Sequence, residues 1–192
     1  QPVGTQVKAR VVRVQTRAHV VRELPNAGAQ QWRIDLSDMQ LRSAGAVAEG
    51  GLQATAIQNG KDAQWSLQSS GTLTNFDPAA WWQSNTALPP ALLNGRWRAD
   101  LKRNGAQTAG LAELTLADSR VGGVPSSGNV LIKSQGSGWA IDGSLQAADN
   151  SVKAQGVITE DRNQDRWTAQ IDAPTLAALT SLARSLPPAM LP

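Results

Sequence analysis

The sequence predicts an all-β protein whose antiparallel strands follow one another as a meander. Apolar and polar residues alternate along much of the chain, and this period of two places the apolar side chains on one face of each strand. Glycine, asparagine and aspartate mark the gaps between these runs, and they accept the positive φ that tight hairpins need. Because such short loops leave no room for helical crossovers, we expect about ten to twelve antiparallel strands and no parallel sheet.

The chain opens with a basic stretch, which we interpret as leading strands over residues 1–28. Its charged residues are Lys8, Arg10, Arg13, Arg17, Arg22 and Glu23. These residues carry five positive charges and one negative charge, a net of +4, and the rest of the 192-residue chain carries −1, which together give the formal net charge of +3. Charges on edge strands discourage edge-to-edge aggregation, which explains the stretch without a nucleic-acid partner. His19 lies in the same run, where we expect a half-buried strand residue.

The apolar positions of the alternating runs are the candidate functional residues. In chain order they are Trp32, Ile34, Leu36, Trp65, Leu67, Trp97, Leu101, Leu114, Leu116, Ile132, Trp139, Ile141, Leu145, Val152, Ile158, Trp167 and Ile171. Hairpin turns are predicted between the runs, at residues 59–60, 104–105, 122–123, 127–128, 136–138 and 149–150.

Two segments interrupt the alternation and are predicted to be short helices. The first covers residues 76–84, where Asp77 is placed to cap the helix and Pro78 suits its first turn. The second covers residues 174–186 and is amphipathic, because leucines recur at spacings of three and four residues. An amphipathic helix in a sheet protein most often covers an open edge or an exposed end of the core.

The composition argues against an enzyme, a metal site or a cofactor. The chain has no cysteine and one histidine, so thiolate chemistry and multi-histidine metal sites are excluded. The carboxylate pairs Asp142 with Asp149 and Asp161 with Asp165 lie in turn-like polar segments, where solvated loops are the ordinary explanation. The glycine pairs lack the residues of a phosphate-binding loop. We therefore predict no catalytic residue and no cofactor.

A sheet that is apolar on one side has three ways to bury that face. It can fold into a sandwich, close into a barrel or curl into an open trough. The alternating pattern leaves all three open, and on periodicity alone an ordinary sandwich core is the favoured interpretation.

Three segments resemble the TamB family of the translocation and assembly module, which belongs with the AsmA-like bridge proteins. Residues 75–82 read NFDPAAWW and look like the short phenylalanine-aspartate-proline helix of that family. Residues 93–95 read LNG and open a strand, as family repeats often do after that helix. Residues 171–179 read IDAPTLAAL and are similar to the helix entry that closes a repeat. The resemblance covers about residues 30–186.

The resemblance implies that residues 1–192 are one segment of a longer, periplasm-spanning protein. Its fold would be an elongated, half-open β-trough, anchored at the inner membrane of a Gram-negative bacterium through the full-length chain. The implied partners are phospholipid, an outer-membrane TamA-type barrel and neighbouring repeats, and the implied function is to shield acyl chains in transit between the two membranes. The alternatives are assembly of outer-membrane or secreted β-proteins, and a structural β-sandwich or adhesin-like module.

Overall fold

The computed structural model shows one open, antiparallel ten-stranded sheet. It describes residues 13–24, 30–43, 45–59, 62–78, 90–159, 161–175 and 177. Strands make up 84 % of the described residues. They are β1 (Arg13–Glu23), β2 (Gln30–Ser43), β3 (Ala46–Asn59), β4 (Asp62–Phe76), β5 (Ala91–Asn104), β6 (Gln107–Val121), β7 (Val124–Gln135), β8 (Gly138–Ala147), β9 (Asn150–Ile158) and β10 (Arg166–Asp172).

The strand order in the sheet is the order in the chain, from β1 at one edge to β10 at the other. Every neighbouring pair is antiparallel, and the sheet is not closed into a barrel. The substantial contacts between described elements are those of each strand with its sheet neighbours. The predicted all-β antiparallel meander is thus confirmed as a single layer of about 43 Å across its ten strands, given a spacing of about 4.8 Å.

Most of the predicted turns join strands in the structure. Two-residue loops follow β5, β6, β7 and β8, and Gly105, Gly122 and Gly136 all have positive φ. The predicted turn at residues 127–128 is wrong, because Gly128 lies inside β7 and pairs with Leu116 and Leu145. A side chain at Gly128 would collide with the carbonyl oxygen of Ser144, so this glycine serves a close approach of strands.

The two predicted helices lie largely outside the described residues. Phe76 belongs to β4 rather than to a helix, and residues 79–84 are not described. Of 174–186, the described Pro174 and Thr175 form a turn in which the Thr175 N–H donates to Asn150 Oδ1 at 3.1 Å. Within the basic stretch 1–28, residues 13–23 form β1 and most others lie outside the described part of the chain. A 3-10 turn, Arg162–Gln164, precedes β10.

Bulges shift the register of three strands, in the middle of β2 and towards one end of β4 and β6. In β2, β4 and β6 one extra residue lies between Leu36 and Met39, between Leu73 and Phe76, and between Leu116 and Ser119. The residues that adopt positive φ there are Asp38, Asn75 and Asp118, with φ of 51°, 50° and 50°. Aspartate and asparagine tolerate this region better than other residues that carry a side chain.

The side chain of Asn94 on β5 joins the bulges of the strands on either side. Its Oδ1 accepts the Asn75 N–H at 2.8 Å, and its Nδ2 donates to the Asp118 carbonyl oxygen at 2.8 Å. The buried Ser119 hydroxyl accepts the Asn94 N–H at 2.9 Å and donates to the Asn94 carbonyl oxygen at 3.0 Å. The backbone groups that the bulges release from the ladder are therefore paired again.

Candidate functional site

The register places all seventeen candidate residues on the same face of the sheet. Directly paired residues share a face, so the side of each strand can be followed from one pairing to the next. One cross-strand row runs through all ten strands, and its members are Ala18, Leu36, Leu52, Ser69, Ala99, Ala112, Ile132, Ile141, Gly156 and Trp167. We call it the central row, and we call the face that carries it the apolar face.

A second row crosses the ten strands nearer to the bulges, and we call it the outer row. Its members are Val14, Leu41, Ala48, Leu73, Gly95, Leu116, Gly128, Leu145, Val152 and Ile171. No member of either row is charged. The bulges make this continuity possible, since the extra residue at Asp38 brings Met39 and Leu41 back to the face of Leu36.

The apolar face is only partly shielded among the described residues. The buried apolar residues there are Ala46, Ala48, Ala91, Val124 and Ala147, at or near the strand ends beside the bulges. Six of the candidates are exposed, with Trp32 at 40 %, Trp167 at 55 % and Ile171 at 69 % at the ends of the sheet. Leu145, Val152 and Ile158 are the other three. The described strands supply no second layer to cover them.

Trp97 lies flat on the apolar face rather than standing out of it. Its ring covers Gly71 on β4 and Gly50 on β3, since a Cβ at either glycine would collide with the indole. Its Nε1–H donates to the Ser69 hydroxyl at 3.1 Å, and Ser69 donates to the Gly51 carbonyl oxygen at 3.0 Å. The glycines and the serine thus hold a large aromatic ring level with the sheet.

Trp167 repeats this arrangement at the far edge of the sheet. Its ring lies over Gly156 on β9, the residue that it pairs with, and a Cβ there would overlap the ring. Trp32, Trp65 and Trp139 are also on the apolar face, so the five tryptophans in described strands all share it. Indole rings are amphipathic and fit a surface that is apolar yet accessible to water.

Sequence reasoning missed several residues of the apolar face. They are Val14, Val20, Met39, Leu41, Leu52 and Leu73. Leu52 belongs to β3, a strand absent from the predicted alternating runs because its other positions on this face are small, such as Ala54 and Ala56. Alternation counted with alanine and glycine as permitted apolar positions would have found this strand.

The opposite face, which we call the polar face, carries amide and carboxylate pairs across neighbouring strands. Gln53 Nε2 donates to Asp35 at 3.3 Å, and Gln68 Nε2 donates to Asp100 at 3.2 Å. A shallow depression of about 590 Å³ near the β2 bulge is lined by these four side chains.

Three of the four carboxylates weighed as catalytic candidates accept hydrogen bonds from nearby groups. Asp142 accepts Gln155 Nε2 at 2.8 Å, Asp161 accepts the Asn163 N–H at 3.1 Å, and Asp165 accepts the Thr159 N–H at 2.8 Å. Among the described residues, no group of three or more His, Cys, Asp or Glu side chains is placed to hold a metal ion. These contacts explain the three carboxylates as turn and strand residues.

Comparison of the chain with protein-family models, curated proteins and solved structures finds no match in any of the three. Within the described part of the chain, no helix has both the length and the apolar character needed to cross a bilayer.

Proposed function

We propose that this chain is a segment of a TamB-like envelope protein whose apolar face shields phospholipid acyl chains in transit between the inner and outer membranes. The full-length protein would be anchored at the inner membrane, lie in the periplasm and meet a TamA-type barrel and neighbouring repeats. The observation that carries the proposal is the single-layer sheet, whose uncharged central and outer rows run through all ten strands without a covering layer among the described residues.

The composition of the apolar face favours reversible binding of a ligand that can move along the sheet. Burying an acyl chain contributes about 0.8 kcal/mol per CH₂ group removed from water. The face mixes Trp, Leu, Ile and Val with Ala and Gly along its rows. Acyl chains would therefore gain free energy at many equivalent positions along the face, which favours sliding over fixed binding.

The second candidate function is assembly of β-proteins by strand addition, and it is favoured by two sheet edges that no further described strand covers. All seven residues of β10 are exposed, and its outer backbone groups have no neighbouring strand in the sheet order. An unpaired edge is a template for an incoming strand. Arg13 and Arg17 on the β1 edge argue against strand addition there, because charge on an edge strand discourages pairing with another chain.

The test compares a charge placed on the apolar face with the same charge on the polar face. Val130 and Leu131 are neighbours on β7 with exposures of 39 % and 36 %, and they lie on opposite faces. Native mass spectrometry and organic extraction of the purified chain should detect phospholipid at defined stoichiometry. Val130→Glu should lose most of this lipid, because it puts a carboxylate against acyl chains. Leu131→Glu should keep the lipid.

Circular dichroism must show that both variants retain the strand content of the parent chain. A parent chain that carries no phospholipid and takes up no fluorescent fatty acid would contradict the proposal. Equal lipid loss in Val130→Glu and Leu131→Glu, with both folded, would contradict the assignment of the faces.

A further inference from the structure

A row of arginine and tryptophan side chains bounds the apolar face on the side away from the bulges. It crosses β1 to β5 through Arg22, Trp32, Ala56, Trp65 and Arg103, each paired with the next. We call these five residues the rim row. Its order is symmetric about Ala56, with a tryptophan and then an arginine on either side.

The rim row lies between a wholly apolar row and the mixed residues at the strand ends. The neighbouring row on one side is Val20, Ile34, Ala54, Leu67 and Leu101. On the other side, towards the strand ends, Gln30, Gln58 and Ala63 follow, and Leu24, two residues after Arg22, is 70 % exposed. Arginine and tryptophan combine apolar area with a polar group, so both suit the boundary between hydrocarbon and water.

The two arginines carry positive charge that no described carboxylate neutralises. The Arg22 guanidinium lies 5.3 Å from the centre of the Trp32 ring. Arg103 Nε donates to the Gly105 carbonyl oxygen at 2.9 Å. The ion pairs of the described residues use Arg17 and Arg42 instead. Most of the N–H donors of Arg22 and Arg103 therefore face solvent and are available to an anion.

The width of the apolar face matches a lipid that lies along the strands. From Val20 to Val14 on β1, and from Ile158 to Val152 on β9, four rows of this face span three steps of two residues, with Thr16 as the polar member on β1. At about 3.4 Å per residue this is about 20 Å. One leaflet of a bilayer has a hydrocarbon depth of about 15 Å, half of the full core. An acyl chain that starts at the rim row therefore ends within the apolar face.

We propose that the rim row is a headgroup site, in which Arg22 and Arg103 each bind the phosphate of one phospholipid, whose acyl chains lie along the strands towards the outer row. This inference rests on the proposed lipid function. The guanidinium group presents several donors in a geometry that matches phosphate, and each tryptophan beside it would contact the glycerol region. The two arginines are about 19 Å apart along the row, so each would serve a separate headgroup.

The test uses two amphiphiles with the same chain, dodecyl phosphate and dodecyl maltoside, titrated into the chain by calorimetry below their micelle concentrations. The parent chain should bind dodecyl phosphate roughly ten-fold more tightly than dodecyl maltoside. This is the affinity difference at the lower end of the range for one hydrogen bond to a charged group. The double variant Arg22→Gln, Arg103→Gln should lose this preference and bind the maltoside as before. The preference should also shrink in 0.5 M salt, since the arginines are exposed.

The matched control is Arg33→Gln, Arg98→Gln, which removes two exposed arginines from the polar face. It should retain the preference for phosphate. Equal binding of both amphiphiles by the parent chain, or a preference that survives in the rim variant, would overturn the headgroup site and leave the proposed function intact. Failure of the parent chain to bind either amphiphile would overturn both.

Discussion

Glycine makes room for aromatic rings on the apolar face. The Trp97 ring occupies the space above Gly50 and Gly71, and the Trp167 ring occupies the space above Gly156. A glycine inside a strand weakens it, because it loses more conformational entropy on folding and offers no side chain to pack. The indole ring of the neighbouring strand supplies the missing contact. A tryptophan and its glycine thus act as one unit across two strands.

Replacing Gly71 with alanine should destabilise the sheet. The new Cβ would collide with the Glu49 carbonyl oxygen and with the Trp97 ring, so both backbone and indole must move. We expect Gly71→Ala to lower the free energy of unfolding by about 1–3 kcal/mol, the range for overpacking. Urea unfolding measures this change, and the emission maximum of the folded protein should shift to longer wavelength as Trp97 is lifted towards water.

Gly143→Ala is the matched control for this substitution. Gly143 lies in the same cross-strand row as Gly71 and Trp97, and the nearest heavy atom to a Cβ there is 3.7 Å away. We expect the free energy of unfolding of this variant to rise by up to about 1 kcal/mol, because alanine reduces the conformational entropy of the unfolded chain. Equal stability of the two alanine variants would contradict the role assigned to the Trp97 ring.

At the scale of the strands, the bulges allow long strands to keep one face apolar. The alternation seen in sequence covers short runs, whereas β4 and β6 are each 15 residues long. The runs stop at the bulges because the phase of the alternation changes there by one residue. Asp38 and Asp118 occupy the extra positions, and their positive φ suits a short polar side chain.

Removal of the Asn94 side chain should affect two bulges at once. Asn94→Ala leaves the Asn75 N–H and the Asp118 carbonyl oxygen without their partner, and Asn94 is half-buried. We expect a loss of about 2 kcal/mol in the free energy of unfolding. Urea titration followed by circular dichroism gives this value.

Asn129→Ala provides the comparison on an exposed part of β7, where Asn129 accepts a hydrogen bond from the Ser144 hydroxyl. Its loss should cost less than about 0.5 kcal/mol, because water replaces an exposed partner. A cost for Asn94→Ala as small as this one would show that the bulges do not depend on the asparagine.

The sequence predicted the strands whose apolar positions are large and missed the strand whose positions are small. Alternation of Trp, Ile and Leu places β2, β8 and β10 correctly, and the seventeen candidates share a face because that alternation follows the pleat. β3 has Ala48, Gly50, Ala54 and Ala56 on that face. Such small residues are only weakly apolar, so the alternation in hydropathy along this strand is weak.

Gly128 shows the limit of turn prediction from local sequence. The Ser127-Gly128 pair has the composition of a turn, yet β7 passes straight through it. Glycine is needed at this position because the Ser144 carbonyl oxygen of β8 approaches it closely. That contact joins residues distant in the chain, so local sequence does not reveal it. The rim row depends on register in the same way, since no local pattern aligns Arg22 with Arg103 across five strands.

At the scale of the whole molecule, the single sheet leaves both of its faces open to solvent over the described strands. Sequence periodicity alone favoured a sandwich, in which two sheets cover one another. The observed order from β1 to β10 is one continuous sheet that is not closed into a barrel. Hydropathy patterns do not distinguish the two, because both require the same alternation.

Small-angle X-ray scattering tests this shape in solution. A compact chain of 192 residues has a radius of gyration of about 16 Å. A sheet of about 43 Å across its strands should exceed that value clearly, while staying far below the value of about 47 Å for the unfolded chain. A measured radius at the compact value would contradict an open sheet, and the same sample in guanidinium chloride provides the unfolded reference.

Every described strand pairs only with its neighbours in the chain. The extent of the sheet across its strands is therefore set by the number of hairpins. A hairpin added beyond β10 would extend the hydrogen-bonded ladder by about 10 Å and would require no existing strand to change partners. Few folds grow this way, since most topologies bury their edges or thread one connection past another. Duplication of a hairpin is therefore a direct genetic route to a longer molecule with the same cross-section.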